Sequence, residues 1–450
     1  MTSNDMSKLL TVNKLKYQLP SNLNIVERRQ NKVSFADQNS YLSQAGSEVV
    51  IRFTASTDYV YGPNSFLTFD IETTPVAGGT SGEIGFQNET AMSLFSRVLY
   101  EDRSGAELIR NDRLNAYCAQ VGPWKYTKNA VTPAMAGKFL GDEKATRTNP
   151  ATFGTHGSEE NYDTTSDKLS VVIPLRHFLG IYNRETLVPS MLVSGSLLRL
   201  QLAPALEALT IIGVGDRVPA SYTISNPRVV LDSMALAPVV QKNLMEQTQQ
   251  SGGLDFSYTT AYYQSGNPGS NPAFNLQINK AVSRCSKLFW SSRATSTEAK
   301  VSNSNHGTEK LAVNKLDYRL GDLYFPQRVI NVIGSPQKNG SELYQNSLQS
   351  MNRMRTDENA PWITKNIFCC SGVPLDATPA NNDNKGYATH VQSFEMSSAL
   401  EYSGLAINNS RTLEARIGFT TPVVGDRTID AWVEYVKLAK CNQLRCILKE

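Results

Sequence analysis

An all-β fold of two tandem antiparallel sandwiches, with short helices in the loops, is predicted by three features of this 450-residue sequence. The first is alternation. Leu198, Leu200 and Leu202 alternate with Arg199 and Gln201, and Leu413, Ala415, Ile417 and Phe419 alternate with Glu414 and Arg416. A period of two marks a half-buried strand, because successive side chains point to opposite faces of a sheet. The second is that strand patterns recur in the same order in both halves, separated by Gly- and Pro-rich turns. The third is a shared phrase, SGAELIRN at 104–111 and NGSELYQN at 339–346. Gly105, Glu107, Leu108 and Asn111 match Gly340, Glu342, Leu343 and Asn346 at an offset of 235 (340 − 105). A strand-like run precedes each phrase and a helical pattern follows it, so Gly105 and Gly340 are expected at equivalent positions.

Taken in order, residues 1–44 read as an extended N-terminal arm, polar and mixed in charge. The first sandwich is expected over 45–238. Its strands are Glu48–Phe53, Phe66–Ile71, the run SLFSRVLY ending at Tyr100, Leu169–Leu175, the alternating Leu198–Leu202 and Arg228–Leu236. A helix reaches to about Gln120, and a Gly-, Thr-, Asn- and Asp-rich stretch, Gly122–Lys168, reads as a long loop. Residues 239–254 form the linker: Pro238–Gln250 reads as a helix with proline near its start and Gly252 and Gly253 past its end. The second sandwich is expected over 255–450, with strands Phe274–Ile278, Leu288–Trp290, RVINVIG ending at Gly334, Leu413–Phe419 and Ile429–Lys437, then a C-terminal tail. A loop-rich region, Arg355–Gly386, corresponds to Gly122–Lys168, so both loops are expected at the same end of the two units. One further match, LTVNKLKYQL at 10–19 and LAVNKLDYRL at 311–320, has an offset of 301 (311 − 10) and no place in this scheme.

The bulk numbers agree with two domains and a structural role. A chain of 450 residues exceeds the size at which a single core keeps growing. Charged residues make up only 19 %, and a net charge of +3 argues against a domain whose main work is neutralising phosphates. The basic residues of the arm, Lys8, Lys14, Lys16, Arg28, Arg29 and Lys32, are half offset by Asp5, Glu27 and Asp37. The six cysteines form no C-x-x-C pair; they read as reduced structural thiols, with Cys441 and Cys446 left open either to pair or to stay free. The opening MTSNDMSKLL lacks the apolar stretch of a signal peptide, and no run reaches ~18 apolar residues, so assembly inside a cell is expected.

No catalytic, cofactor or metal site is expected. His156, His177, His306 and His390 are far apart in sequence, and no metal-ligand spacing links them. His177, in IPLRHFLG, reads as a packed or capping histidine. The stretch GGTSGEIG at 78–85 has no following Lys-Ser/Thr and reads as a turn, not a phosphate loop. Asn381–Gln392 imitates a calcium loop through Asp383 and Gly386 but places Lys385 and Gln392 where anionic oxygens belong. Glu159, Glu160, Asp163 and Asp167 read as a solvated acidic loop.

The run VVIPLRHFLGIYNRETLVPSMLVSGSLLRLQL, Val171 to Leu202, has an IPL strand, a turn at Gly180, a second VP and an alternating strand. GDLYFPQRVI at 321–330 and SGLAINNSRTLEARIGF at 403–419 echo it in the second half. In these residues the chain resembles the double-jelly-roll major capsid proteins of double-stranded DNA viruses, of the virophage and Polinton-like type within the tectivirus–adenovirus lineage. The resemblance implies that each sandwich is a jelly roll. It also implies a non-enzymatic shell protein of the virion whose homotrimers form pseudo-hexameric capsomers tiling an icosahedral capsid. The partners it implies are neighbouring capsomers, penton and minor capsid proteins; it implies no sequence-specific nucleic-acid binding and leaves an internal membrane open. The alternatives are a two-jelly-roll enzyme or glycan-binding protein, and a single-jelly-roll capsid protein with a protruding domain from a small RNA or DNA virus.

Overall fold

The computed structural model describes residues 25–44, 46–54, 56–75, 83–86, 90–127, 152–153, 168–183, 187–212, 219–250, 253–294, 313–332, 340–352, 361, 368, 389–394, 404–408, 411–419, 427–441 and 446–449. Up to Leu236 the elements are β1 (Ile25–Phe35), β2 (Ser40–Leu42), β3 (Glu48–Arg52), β4 (Tyr59–Pro75), β5 (Glu83–Phe86), β6 (Phe95–Glu101), β7 (Glu107–Asp112), α1 (Leu114–Lys125), β8 (Thr152–Phe153), β9 (Lys168–Pro174), β10 (Leu197–Leu202), β11 (Leu209–Ile212) and β12 (Pro219–Leu236). Helix α2 (Pro238–Gln250) leads to β13 (Leu254–Gly266), β14 (Ala273–Ile278), β15 (Val282–Ala294), β16 (Val313–Leu320), β17 (Leu323–Asn331), α3 (Ser341–Ser350), β18 (His390–Ser393), β19 (Leu405–Ile407), β20 (Leu413–Phe419), β21 (Arg427–Cys441) and β22 (Cys446–Lys449).

Before α2 one sheet runs β1–β12–β4–β9, with β2 also on β12, and a second runs β3–β10–β6–β7. After α2 the same plan returns as β13–β21–β15–β18, with β19 on β15 and β22 on β21, and β14–β20–β16–β17. A small sheet, β11–β5–β8, decorates the first half. In each set of eight main strands the first pairs with the last and the second with the next to last, and the pairings are antiparallel. That nested pairing wraps two four-stranded sheets into a jelly roll. The alternating strands are the central members of their sheets: Leu198, Leu200 and Leu202 of β10 and Leu413, Ala415, Ile417 and Phe419 of β20 are all buried. Each of these Leu, Ile and Phe side chains contributes roughly 1.5–3 kcal/mol when it leaves water, which fixes which face of the strand turns inward.

Topology pairs β6–β7 with β16–β17, and both hairpins turn on a glycine of positive φ: Gly105 at +84° and Gly321 at +60°. The structural offset there is 216 residues (321 − 105), in line with 216 between Leu197 and Leu413 at the start of β10 and β20 (413 − 197). The expected equivalence of Gly105 and Gly340 is therefore overturned. Gly340, with φ −76°, precedes helix α3, so ELIRN is strand in one unit and ELYQN is helix in the other. Short polar-apolar phrases carry little conformational preference of their own; the neighbours decide. The helical patterns after both phrases are present, as α1 and α3.

The arm expected over 1–44 also needs correction. From Ile25 onward the chain is strand β1, paired with β12 from Ile25↔Leu236 to Phe35↔Arg228, and β2 follows on the same partner. The polar run IVERRQNKVSF shows no apolar period. A strand on the edge of a sheet needs main-chain partners more than an apolar face. Helix α1 continues to Lys125, into the segment expected as loop from Gly122, because Trp124 is fully buried. The C-terminal tail is the β21–β22 hairpin. The core is one continuous cluster to which both halves contribute.

Candidate functional site at the seam between the sandwiches

The densest side-chain chemistry among the described residues lies where the two halves meet. Helix α1 buries Leu114, Ala116, Tyr117, Cys118, Val121 and Trp124. A helix that is apolar nearly all round must be enclosed. Part of that enclosure comes from the second half. The Trp124 indole N–H donates to the carbonyl of Thr389 at 3.0 Å, and its ring lies 5.8 Å from Tyr344 and 5.7 Å from Phe368. Ser291 on β15 donates to the Gln120 side-chain oxygen. Tyr258 on β13 donates to the carbonyl of Leu108 at 2.7 Å, and Lys437 on β21 to that of Glu107 at 3.1 Å. These two bonds tie strand β7 of the first half to the second.

Glu434, on β21, sits at the centre. Its carboxylate accepts from the Tyr117 hydroxyl and pairs with Lys125 Nζ, which also donates to Tyr117 at 2.7 Å. Burial works to raise the Glu434 pKa, but Lys125, Lys287 and the hydrogen bonds outweigh it and hold the carboxyl below the usual 4.5. Burial, reinforced by that negative charge, pushes the Tyr117 phenol well above its ordinary range, so it stays a donor. The cluster is a polar tie between sandwiches: every group in it has a partner, and none is poised to attack a substrate. A buried ion pair of this kind fixes geometry more than it adds stability.

Steric fit completes the seam. Gly180 opens a short turn, Gly180–Tyr182, against β13 of the other half. A Cβ there would lie 1.8 Å from the Thr259 carbonyl oxygen. The one-residue absence of a side chain is what lets the two backbones meet.

No protein-family model matches this chain, and no curated protein matches it in sequence. Its shape does have counterparts. The Faustovirus major capsid protein superposes with a TM-score of 0.58 at 8% identity, covering 98% of both chains. The PBCV-1 virus capsid gives 0.56 at 11% identity, over 94% of this chain and 98% of that one. The mavirus major capsid protein gives 0.54 at 10% identity, over 96% and 93%. This chain has the double-jelly-roll fold of these viral capsid proteins.

Within the double jelly roll, the residues weighed for chemistry are scattered. His177 ends a short turn after β9, with its ring 4.8 Å from Tyr126, and His390 on β18 stacks on Trp290 at 4.3 Å. Burial drives both imidazoles down to about 3. Cys118 and Cys285 are buried thiols, and burial raises both. His156, His306, Glu159, Glu160, Asp163, Asp167, Asp383, Lys385, Gly386, Cys369 and Cys370 lie outside the described residues. Of the GGTSGEIG stretch, the described part, 83–85, belongs to strand β5 and is not a turn. Gln392 is in β18 and accepts from Asn346 at 3.2 Å. Among the described residues no group of three His, Cys, Asp or Glu could hold a metal, and no helix is long and apolar enough to cross a membrane. Among the described residues the two long loops are joined by an antiparallel bridge between Thr127 and Pro361; most of both lies outside those residues.

Of the seam residues, sequence pointed to a turn at Gly180 but not to the cluster of Tyr117, Lys125 and Glu434. One signal was present: Glu434 interrupts the apolar run AWVEYV in β21. A lone acid inside a strand core needs a partner.

Proposed function

We propose that this chain is a major capsid protein, a component of the virion that acts as a building block and not as a catalyst. Three copies form a homotrimer of six jelly rolls, a pseudo-hexameric capsomer that tiles an icosahedral shell around a DNA genome. The observation that carries this is the repeated topology, two eight-stranded jelly rolls of matching strand order joined through the α1 seam. Two near-equivalent units held rigidly in one chain supply a trimer with six similar faces, and closed cyclic symmetry needs such head-to-tail contacts. The domain division we propose is a first jelly roll ending at residue 238, a linker over 239–254 and a second jelly roll over 255–450, with the first beginning at β1. Its further partners are neighbouring capsomers, penton and minor capsid proteins. Packaging rests on other proteins, since the small positive surplus of residues 1–44 gives little counterion release on DNA.

Sedimentation of the purified chain tests the reading, followed by electron microscopy after concentration. Trimers that associate into shells or sheets are expected. A stable monomer at high concentration would overturn it, as would tight, salt-sensitive DNA binding that disappears when residues 1–24 are removed.

A further inference from the structure

The match between residues 10–19 and 311–320 is explained by neither the duplication nor the fold. Seven of its ten positions are identical. The later copy is strand β16, a central strand whose Leu316, Tyr318 and Leu320 point into the core while Lys315 and Arg319 point away. The earlier copy keeps Leu15, Tyr17 and Leu19 in the same places, along with Val12, Asn13 and Lys14. Residues 10–19 lie outside the described residues, so only their sequence enters here.

We propose that residues 12–19 of one chain add as a strand to the open edge of β17 in a second copy of this chain. This rests on the self-association proposed above and goes beyond it by naming the segment and the edge. Strand β17 ends its sheet, and among the described residues it pairs with β16 alone. Its tip exposes two large apolar side chains, Leu323 at 47% and Tyr324 at 44%. An unpaired edge beside exposed apolar groups is a template for one more strand. A near-copy of β16 carries the side chains that already match β17, where Leu316 opposes Ile330, Tyr318 opposes Phe325 and Leu320 opposes Leu323.

One difference selects β17 over the slot that β16 fills. Asp317 of β16 lies opposite Arg416 of β20, with 4.0 Å between their charged atoms. The arm has Lys16 there, so exchange into that slot would set a lysine against Arg416. Towards β17 the pairing skips residue 317 at an irregularity that spans Pro326–Val329, where the one charged side chain, Arg328, is already paired with Glu342. A sign change at the one position facing a fixed charge excludes the wrong partner strand. The occupant is a second copy because β1 holds Ile25 against Leu236 in the first jelly roll. The five residues 20–24 give a reach of only about 20 Å. Strand β17 lies at the outer edge of a sheet of the second jelly roll, not of the one that holds Ile25.

The test uses the full chain, diluted until sedimentation shows single copies, and a fluorescein-labelled peptide of residues 8–21 read by anisotropy. Saturable binding is expected, with a scrambled peptide failing to bind. The Leu323→Asp/Tyr324→Asp chain, checked for an unchanged unfolding transition, should bind at least about tenfold more weakly. A Lys16→Asp peptide should bind within about twofold of the original, as the one charge of β17 near that position, Arg328, is held by Glu342. Several results would overturn the proposal: binding no better than the scrambled peptide, indifference to the β17 substitutions, or a Lys16→Asp peptide that binds about tenfold more tightly by entering the β16 slot. So would a single-copy chain that refuses the peptide until Leu15→Asp/Tyr17→Asp is introduced, since its own arm would then hold the edge. Capsomers that form without peptide binding would remove this inference alone. Peptide binding by a chain that never associates would remove the capsid reading.

Discussion

Tyr117, on a helix of the first jelly roll, donates its hydroxyl hydrogen to the carboxylate of Glu434, 317 residues further along the chain on the last long strand of the second. Lys125 completes the contact from the same helix. Tyr117→Phe removes the donor from a buried acceptor and should destabilise the chain by about 1–3 kcal/mol. Lys125→Met leaves the carboxylate without its nearest cation and should have a similar or larger effect. Urea unfolding followed by tryptophan fluorescence measures both, since Trp432 packs against Tyr117 at 6.1 Å and Trp124 lies on the same helix as Tyr117 and Lys125. Equal stability of Tyr117→Phe and the parent would show that the tie adds nothing to the joint.

Gly180→Ala tests the steric side of the same joint. The new Cβ would stand 1.8 Å from the Thr259 carbonyl oxygen, and backbone cannot swing aside as a side-chain tip can. A loss of about 1–3 kcal/mol or more is expected. The variant should also expose the seam, seen as faster hydrogen exchange in β13 and α1. Wild-type exchange in both elements would contradict the close approach.

Acid should loosen the molecule in two stages. His177 and His390 have folded pKa values of about 3 against an ordinary 6.5, so between these limits the unfolded chain binds more protons than the folded one. Stability is then full above about pH 6.5 and falls as pH drops, by up to ~1.4 kcal/mol per pH unit for the buried His390 and by less for the half-buried His177. Glu434 is held below 4.5, so its contribution is present above 4.5 and is lost as pH falls beneath it. His390→Phe, which keeps a ring against Trp290, should flatten the first stage and leave the second. Thermal melts from pH 8 to about pH 3 provide the comparison.

The two hairpin glycines give a direct test of which positions correspond. Nothing lies within 4 Å of a Cβ built on Gly105, so Gly105→Ala should lose only the cost of a left-handed conformation, about 1–2 kcal/mol. Gly321→Ala adds crowding against Arg411 Cγ at 3.1 Å and should lose more. Gly105→Asn, a residue that tolerates this region, should recover part of the loss. If Gly105→Ala were neutral, the positive φ of the turn would be in doubt.

Much of the architecture was legible without coordinates because it depends on local periodicity. Strand β20 was readable from alternation over Leu413–Phe419, and α2 from its proline start and glycine stop. Strand β1 was hidden because IVERRQNKVSF has no apolar period; what makes it a strand is the hydrogen-bonding edge of β12, some two hundred residues away. The seam was hidden for a related reason. Nothing near Tyr117 in sequence announces an acid at 434.

The sequence by itself determined an all-β chain of two like units, because each strand carries its own record of which face is buried. Which residues correspond between the units was decided only by the tertiary structure. The phrase shared by Gly105 and Gly340 is strand in one half and helix in the other, while the true counterpart of Gly105, Gly321, has no matching phrase around it. Equivalence in a duplicated fold is set by strand pairing and by turn geometry. A glycine at positive φ is required where a hairpin closes, whereas four matching letters impose no conformation until their neighbours supply one.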